Sequence, residues 1–82
     1  MPTDQTITER VIKCVAAAVG TETSVFTLAT NLRTEIVIDS LDQTEIMFEL
    51  EDEFNVLVSD EEADNIQTVS DIVKLVERKV IQ

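Results

Sequence analysis

Asp39-Ser40-Leu41-Asp42 is the stretch of this 82-residue sequence whose residue types and spacing best support chemistry. Asp39 can cap a helix that follows it, and Asp39-x-x-Asp42 approximates a capping box, with Asp where Glu or Gln is usual. Ser40 then falls in the first turn, where backbone N–H groups lack intrahelical acceptors and the helix dipole is positive. A phosphate ester on its hydroxyl would lie beside a natural anion site. The plainer reading is a capping region whose serine does nothing more. Ser40 has no evident base to make it a nucleophile in its own right, because the sequence contains no His and a single Cys. That absence fits a serine that another enzyme acts upon.

The element that must position Ser40 is a helix over about 40–54. At ~100° per residue, Gln43, Ile46, Met47, Leu50 and Phe54 gather on one side and form a core stripe. Leu41 and Phe48 fall almost opposite, interspersed with Glu45 and Asp52 and bordered by Glu49. On charge alone this second face is a solvated surface with scattered apolar residues. Before it, Thr6 or Asp4 can cap a first helix running to about Val19, with Ile7, Val11, Cys14, Val15 and Ala18 toward the core. Gly20 is placed to end that helix in the left-handed conformation. Cys14 reads as a small buried hydrophobe rather than a reactive thiol, and Ile12, off the stripe, is expected at the surface. The long connection 21–38 has no sustained period but holds Val25, Phe26, Leu28, Leu32 and Ile36, so it should pack on its own apolar residues while delivering the chain to Ser40.

After Val56-Leu57-Val58, Ser59 or Asp60 can cap a short helix over 61–65, and Thr68-x-x-Asp71 starts a last helix to about Val80. Ile72, Val73, Val76 and Val80 give that helix its core stripe, and Lys74, Arg78 and Lys79 lie near its negative end. The β-prone segments 35–38 and 56–58 are short and isolated. The expected fold is all-α, a small four-helix bundle with one short helix, formed by residues 1–82 as a single domain.

The totals narrow the function. The formal charge is −11, and 13 of the 17 acidic residues lie between Thr34 and Val73, where there is no Lys or Arg. That distribution argues against nucleic acid and toward partners with basic surfaces. One Cys excludes an internal disulfide, and one Cys without His excludes the usual zinc sites. The acidic middle has no Gly, so an EF-hand loop is excluded as well, and no metal site is expected. The Met-Pro-Thr-Asp-Gln start shows no signal peptide and no apolar run spans a membrane, which together suggest a soluble, cytoplasmic protein; a monomer is expected.

Asp39-Ser40-Leu41-Asp42, followed by Glu45-Ile46-Met47-Phe48-Glu49-Leu50-Glu51-Asp52-Glu53-Phe54, resembles the acyl carrier protein family. The likeness extends from about Ile7 to Val80, through Glu9-Arg10-Val11, Gly20, Asp60-Glu61-Glu62-Ala63 and Thr68-Val69. It implies a non-catalytic carrier whose 4′-phosphopantetheine arm, taken from coenzyme A, is attached to Ser40 by a separate phosphopantetheinyl transferase. It also implies a docking surface built from Asp39, Leu41, Asp42, Glu45, Phe48, Glu49 and Asp52, used by acyl synthases and transferases with basic surfaces. Leu50, Phe54, Val58 and Ile66 would line an acyl pocket, although the same residues are needed for packing. Fatty-acid or related synthesis is the implied setting. The alternatives are a dedicated carrier for a polyketide or unusual lipid, and an acidic helical interaction module that is never modified. Two departures stand out. Val37 occupies a position where many relatives have Gly, and a β-branched residue resists positive φ, so the loop entering the second helix is expected to differ in path. Arg33 and Thr34 lie where relatives tend to be apolar or acidic.

Overall fold

The computed structural model describes the backbone of residues 3–80 and the side chains of residues 7–80. Among them are four α-helices and no strand: α1 (Thr3–Val19), α2 (Ser40–Phe54), α3 (Asp60–Asp64) and α4 (Val69–Val80). A single antiparallel bridge, Asn31 with Thr68, pins the long connection to the start of α4. The expected all-α bundle with one short helix is what forms.

Helix α1 packs on both α2 and α4, which makes it the spine of the bundle. Its predicted stripe of Ile7, Val11, Cys14, Val15 and Ala18 is buried throughout. Because α1 has a neighbour on two sides, the buried arc is wider than one stripe. Ala16 is buried too, and Ile12, expected at the surface, packs against the core. Gly20 ends the helix at φ 80°, and the N–H groups of Gly20 and Thr21 both donate to the Ala16 carbonyl. Asp4 and Thr6 fall inside α1 rather than before it, so neither is its cap, and their side chains lie outside the described residues.

Cys14 is buried where α1 meets α2, its thiol donating to the Glu49 carbonyl at 3.6 Å. Burial, with the Glu53 and Glu49 carboxylates nearby, pushes this thiol up to about 11 from an ordinary 9.0. Two pH units of difference make the thiolate about a hundredfold scarcer than in an unfolded chain. Alkylation by iodoacetamide at pH 8 should therefore run at least about a hundredfold slower in the native protein than in urea. Equal rates would place the thiol in contact with solvent.

Helix α4 buries Val69, Ile72, Val73, Leu75 and Val76. Val80, expected on the stripe, is 40% exposed. It has the right angular position but is the last residue of the helix, beyond the edge of the core, and Leu75 fills the face instead. Thr68 and Asp71 form the expected reciprocal cap: the Asp71 N–H donates to Thr68 Oγ1 at 3.2 Å, and the Thr68 N–H donates to Asp71 Oδ2 at 3.0 Å. These backbone donations hold the Asp71 carboxyl below its ordinary range. Helix α3 is only five residues long and is capped by Ser59, with Glu62 answering. So short a helix needs external support. It receives it from Lys79, which pairs with Glu62 at 3.1 Å, and from Gln43, whose amide donates to Asp64 at 3.1 Å.

Candidate functional site

The connection between α1 and α2 is a built structure rather than a slack tether. A single 3₁₀ turn at Thr23–Val25 starts it, after which Phe26, Thr30 and Leu32 are buried while Val25 and Leu28 stay largely exposed. Asn31 organises the next turn, its side-chain oxygen accepting the N–H groups of Arg33 at 2.8 Å and Thr34 at 3.0 Å. The Leu32 N–H reaches the Gln67 carbonyl at 2.7 Å, and the Ile38 N–H returns to the Leu32 carbonyl at 3.0 Å. Arg33, unusual by comparison with the family pattern, turns out to hold α3 down. Its guanidinium donates to the carbonyls of Ile66 at 3.0 Å and Ala63 at 3.2 Å, at and just beyond the end of α3.

Ile36 and Ile38 both pack against the core, and their N–H groups donate to the carbonyls of Asn31 and Leu32 respectively. Between these two anchored residues Val37 adopts φ 58°. The expected avoidance of positive φ is thus overturned: anchoring of both neighbours overrides the steric preference of a β-branched residue.

Asp39 follows in extended conformation and caps α2. Its Oδ1 accepts the Asp42 N–H at 2.8 Å, and its own N–H donates to Asp42 Oδ2 at 3.3 Å, closing the capping box with both partners Asp. Ser40 is the first residue of α2 and is exposed. Its carbonyl accepts the Thr44 hydroxyl at 3.0 Å, while its own Oγ has no hydrogen-bond partner among the described residues. The backbone N–H groups of Ser40 and Leu41 likewise have no acceptor there. Asp39 and Asp42, the nearest carboxylates in the chain, are occupied with the cap. Among the described residues the result is a free hydroxyl next to unpaired backbone donors, with none of them placed to take its proton. No group of three or more His, Cys, Asp or Glu among the described residues could hold a metal.

Along α2 the two faces separate as the spacing predicts, with one correction. Ile46, Leu50 and Phe54 are buried and Met47 is half-buried, but Gln43 is not a core residue: it lies half-buried at the edge and bridges to α3. On the other face Leu41 is 64% exposed and Phe48 63% exposed, with Glu45, Glu49 and Asp52 exposed around them and Asp42 half-buried. The last turn of α2 carries Glu51, Asp52 and Glu53 and no basic residue, so three carboxylates stand at the negative end of the helix dipole. Glu53 is paired with Arg10 at 2.6 Å, and the same guanidinium lies 4.5 Å from the centre of the Phe54 ring. Glu51 accepts the Val58 N–H at 2.9 Å.

Leu50, Phe54, Val58 and Ile66 are all buried. Of the four, Ile66 borders a gap of about 10 Å³ between α2 and α3, walled also by Ile38, Ile46, Met47 and Ala63. That is about the space of one water-sized sphere. A larger open depression of about 800 Å³ lies between α3 and α4, and none of its lining residues comes from α2. Three features escaped sequence reasoning: the Arg33 tie to α3, the Gln43 bridge, and Leu57, which is 82% exposed between α2 and α3. The first two join residues more than twenty positions apart and have no local signature.

Residues 9–76 match the family model described as a phosphopantetheine attachment site. The chain is 33% identical over 78 residues to an acyl carrier protein of Exiguobacterium sibiricum, covering 95% of this chain and 99% of that one. Among solved structures, a Mycobacterium tuberculosis protein assigned as an acyl carrier protein superposes with a TM-score of 0.79 at 29% identity, covering 88% of this chain and 96% of that one. The apo doublet acyl carrier protein from prodigiosin biosynthesis gives the same TM-score at 21% identity, covering 92% of this chain and 36% of that one, and so shares the fold. The free hydroxyl on a capped helix and these likenesses agree: the chain belongs to the acyl carrier proteins, which are carriers rather than catalysts, hold their cargo on a covalent 4′-phosphopantetheine and work with transferases and synthases.

Proposed function

We propose that Ser40 is the attachment point of the phosphopantetheine arm and that residues 1–82 act as one carrier domain. The observation that carries this reading is the position of Ser40 as the first residue of α2, exposed, with its Oγ unpaired and the N–H groups of Ser40 and Leu41 without acceptors among the described residues. These residues fit a phosphodiester: the hydroxyl can be esterified without breaking a contact, and the free donors and helix dipole favour the added negative charge. In the loading step Ser40 Oγ forms a bond to phosphorus as a P–O bond of coenzyme A's pyrophosphate breaks. The adenosine bisphosphate leaves, and the serine proton passes to a base on the transferase. Once attached, the arm's terminal thiol supplies the thioester linkage to an acyl group. The chain's own contribution is a rigid base for that tether, which raises the effective concentration of cargo at a partner's active site.

The exposed face of α2 is the surface on which partners dock, through Leu41 and Phe48 ringed by Asp39, Asp42, Glu45, Glu49 and Asp52. Apolar anchors with a charged rim suit brief, specific contact with basic surfaces. The α2–α3 gap bordered by Ile66 is where an acyl chain would enter, with Leu50, Phe54 and Val58 as the deeper wall. A gap of about 10 Å³ requires α3 to move before it admits a chain. The protein works as a cytoplasmic monomer in fatty-acid or related acyl-thioester synthesis. The departures at Val37 and Arg33 favour, as a second reading, a carrier dedicated to a polyketide or unusual lipid.

The test is incubation of the purified chain with coenzyme A, Mg²⁺ and a broad-specificity phosphopantetheinyl transferase, followed by intact-mass analysis and peptide mapping. One arm per chain, on the peptide containing Ser40, is expected. No adduct would favour an unmodified acidic interaction module.

A further inference from the structure

Val37 combines two features that the stability of the fold does not reward. It holds φ 58°, a conformation disfavoured for any residue with a Cβ and more so for one branched there. Its side chain is also 66% exposed, so little packing offsets that strain. Ile36 and Ile38 are anchored against the core on either side of it, but Gly or Asn would take the same φ with less strain. Strain of this kind, kept where nothing in the fold rewards it, is concentrated at functional sites. Val37 stands three residues before Ser40, and Leu41, 64% exposed, directly follows it. The hydroxyl is therefore flanked along the chain by two exposed apolar side chains, one on the loop and one on α2.

We infer that Val37 is a specificity-determining contact for the phosphopantetheinyl transferase, seated in an apolar depression of that enzyme when Ser40 is loaded. The transferase is favoured over the acyl synthases by reach. An enzyme that esterifies Ser40 Oγ must bring its own active site to bonding distance of that atom, and so covers residues within a turn of it. A synthase meets the far end of the arm and need not touch the entering loop. The inference rests on Ser40 being the loaded residue.

Two variants separate recognition from loop geometry. Val37→Gly removes both the side chain and the strain, whereas Val37→Thr keeps the branched shape and the strain and replaces one methyl by a hydroxyl. With a transferase that loads the wild-type chain, Val37→Gly should raise the KM about tenfold, as removal of a Val-sized apolar contact does. Val37→Thr should shift it in the same direction, and kcat should change little in either. The urea midpoint should rise for Val37→Gly and stay at the wild-type value for Val37→Thr. A KM unchanged in both variants, with Ser40 loaded normally in the wild type, overturns the role of Val37 alone. A wild-type chain that accepts no arm at Ser40 overturns the loading site, and this inference with it.

Discussion

Ser40→Ala is expected to abolish arm attachment completely while leaving the fold at wild-type stability. The first half follows from chemistry, since Ala offers no oxygen to esterify. The second follows from the local structure. The cap of α2 is made by Asp39 and Asp42, not by Ser40, and the hydrogen bonding of Ser40 among the described residues runs through its carbonyl, which Ala retains. Ala is also a better helix former than Ser. The change in unfolding free energy should therefore stay within about 0.5 kcal/mol, as for an exposed site without partners. Asp39→Ala is the contrasting control. It removes the acceptor of the Asp42 N–H and should cost about 1 kcal/mol, the usual loss for a cap. Intact mass after treatment with transferase and coenzyme A, read beside a urea titration, checks both halves. An arm on Ser40→Ala would move the site elsewhere. The other serines are poorer hosts: Ser59 Oγ already accepts the Glu62 N–H at 3.1 Å, Ser70 lies half-buried inside α4, and Ser24, though exposed, sits in the three-residue 3₁₀ turn away from the start of any α-helix.

The contrast between Ser40 and Ser59 also shows what could be read from the chain before its coordinates. Both serines stand at helix starts, both lie beside acidic residues, and both invite a capping interpretation. Spacing offered Asp39 as the cap of α2 and left Ser59 or Asp60 for α3, and the structure gives the caps to Asp39 and Ser59; only the resemblance singles out Ser40 for modification. Helical periodicity likewise located the buried face of α1 and the exposed pair Leu41 and Phe48. It failed where tertiary context changed the arc or the reach of burial. Ile12 is covered because α1 has two neighbours, Val80 is uncovered because α4 outruns the core, and Gln43 is diverted to Asp64. Val37 failed for a different reason. Local steric preference argued against positive φ, and two anchored isoleucines overrode it. The supports of α3 from Arg33, Gln43 and Lys79 were invisible, since each joins distant positions by a polar contact that leaves no period in the sequence.

Glu45→Lys combined with Asp52→Lys is expected to slow association with a transferase about ten- to a hundredfold at low salt, without loss of stability. Neither carboxylate has a hydrogen bond or ion pair among the described residues, so the fold does not depend on them. Asp52 is unfavourable to its own helix, because it adds negative charge at the negative end of the dipole. Glu49, four residues from Glu45 and three from Asp52, repels both. Reversing the two charges turns these repulsions into attractions worth about 0.3–0.5 kcal/mol each, so the variant should be at least as stable as the wild type. Binding should move the opposite way. A partner with a basic surface is steered by the acidic rim, and losing that steering lowers the on-rate most when the Debye length is long. Stopped-flow association measured at about 10 mM and about 300 mM salt should show a large gap to wild type that narrows as salt rises. Phe48→Ala supplies the complementary signature, a faster dissociation with little salt dependence, because an apolar anchor acts after the encounter. On-rates equal to wild type at low salt, in a variant of undiminished stability, would mean that partners approach by another face. Acidic residues set against their own helix dipole would then be left without a function to explain them.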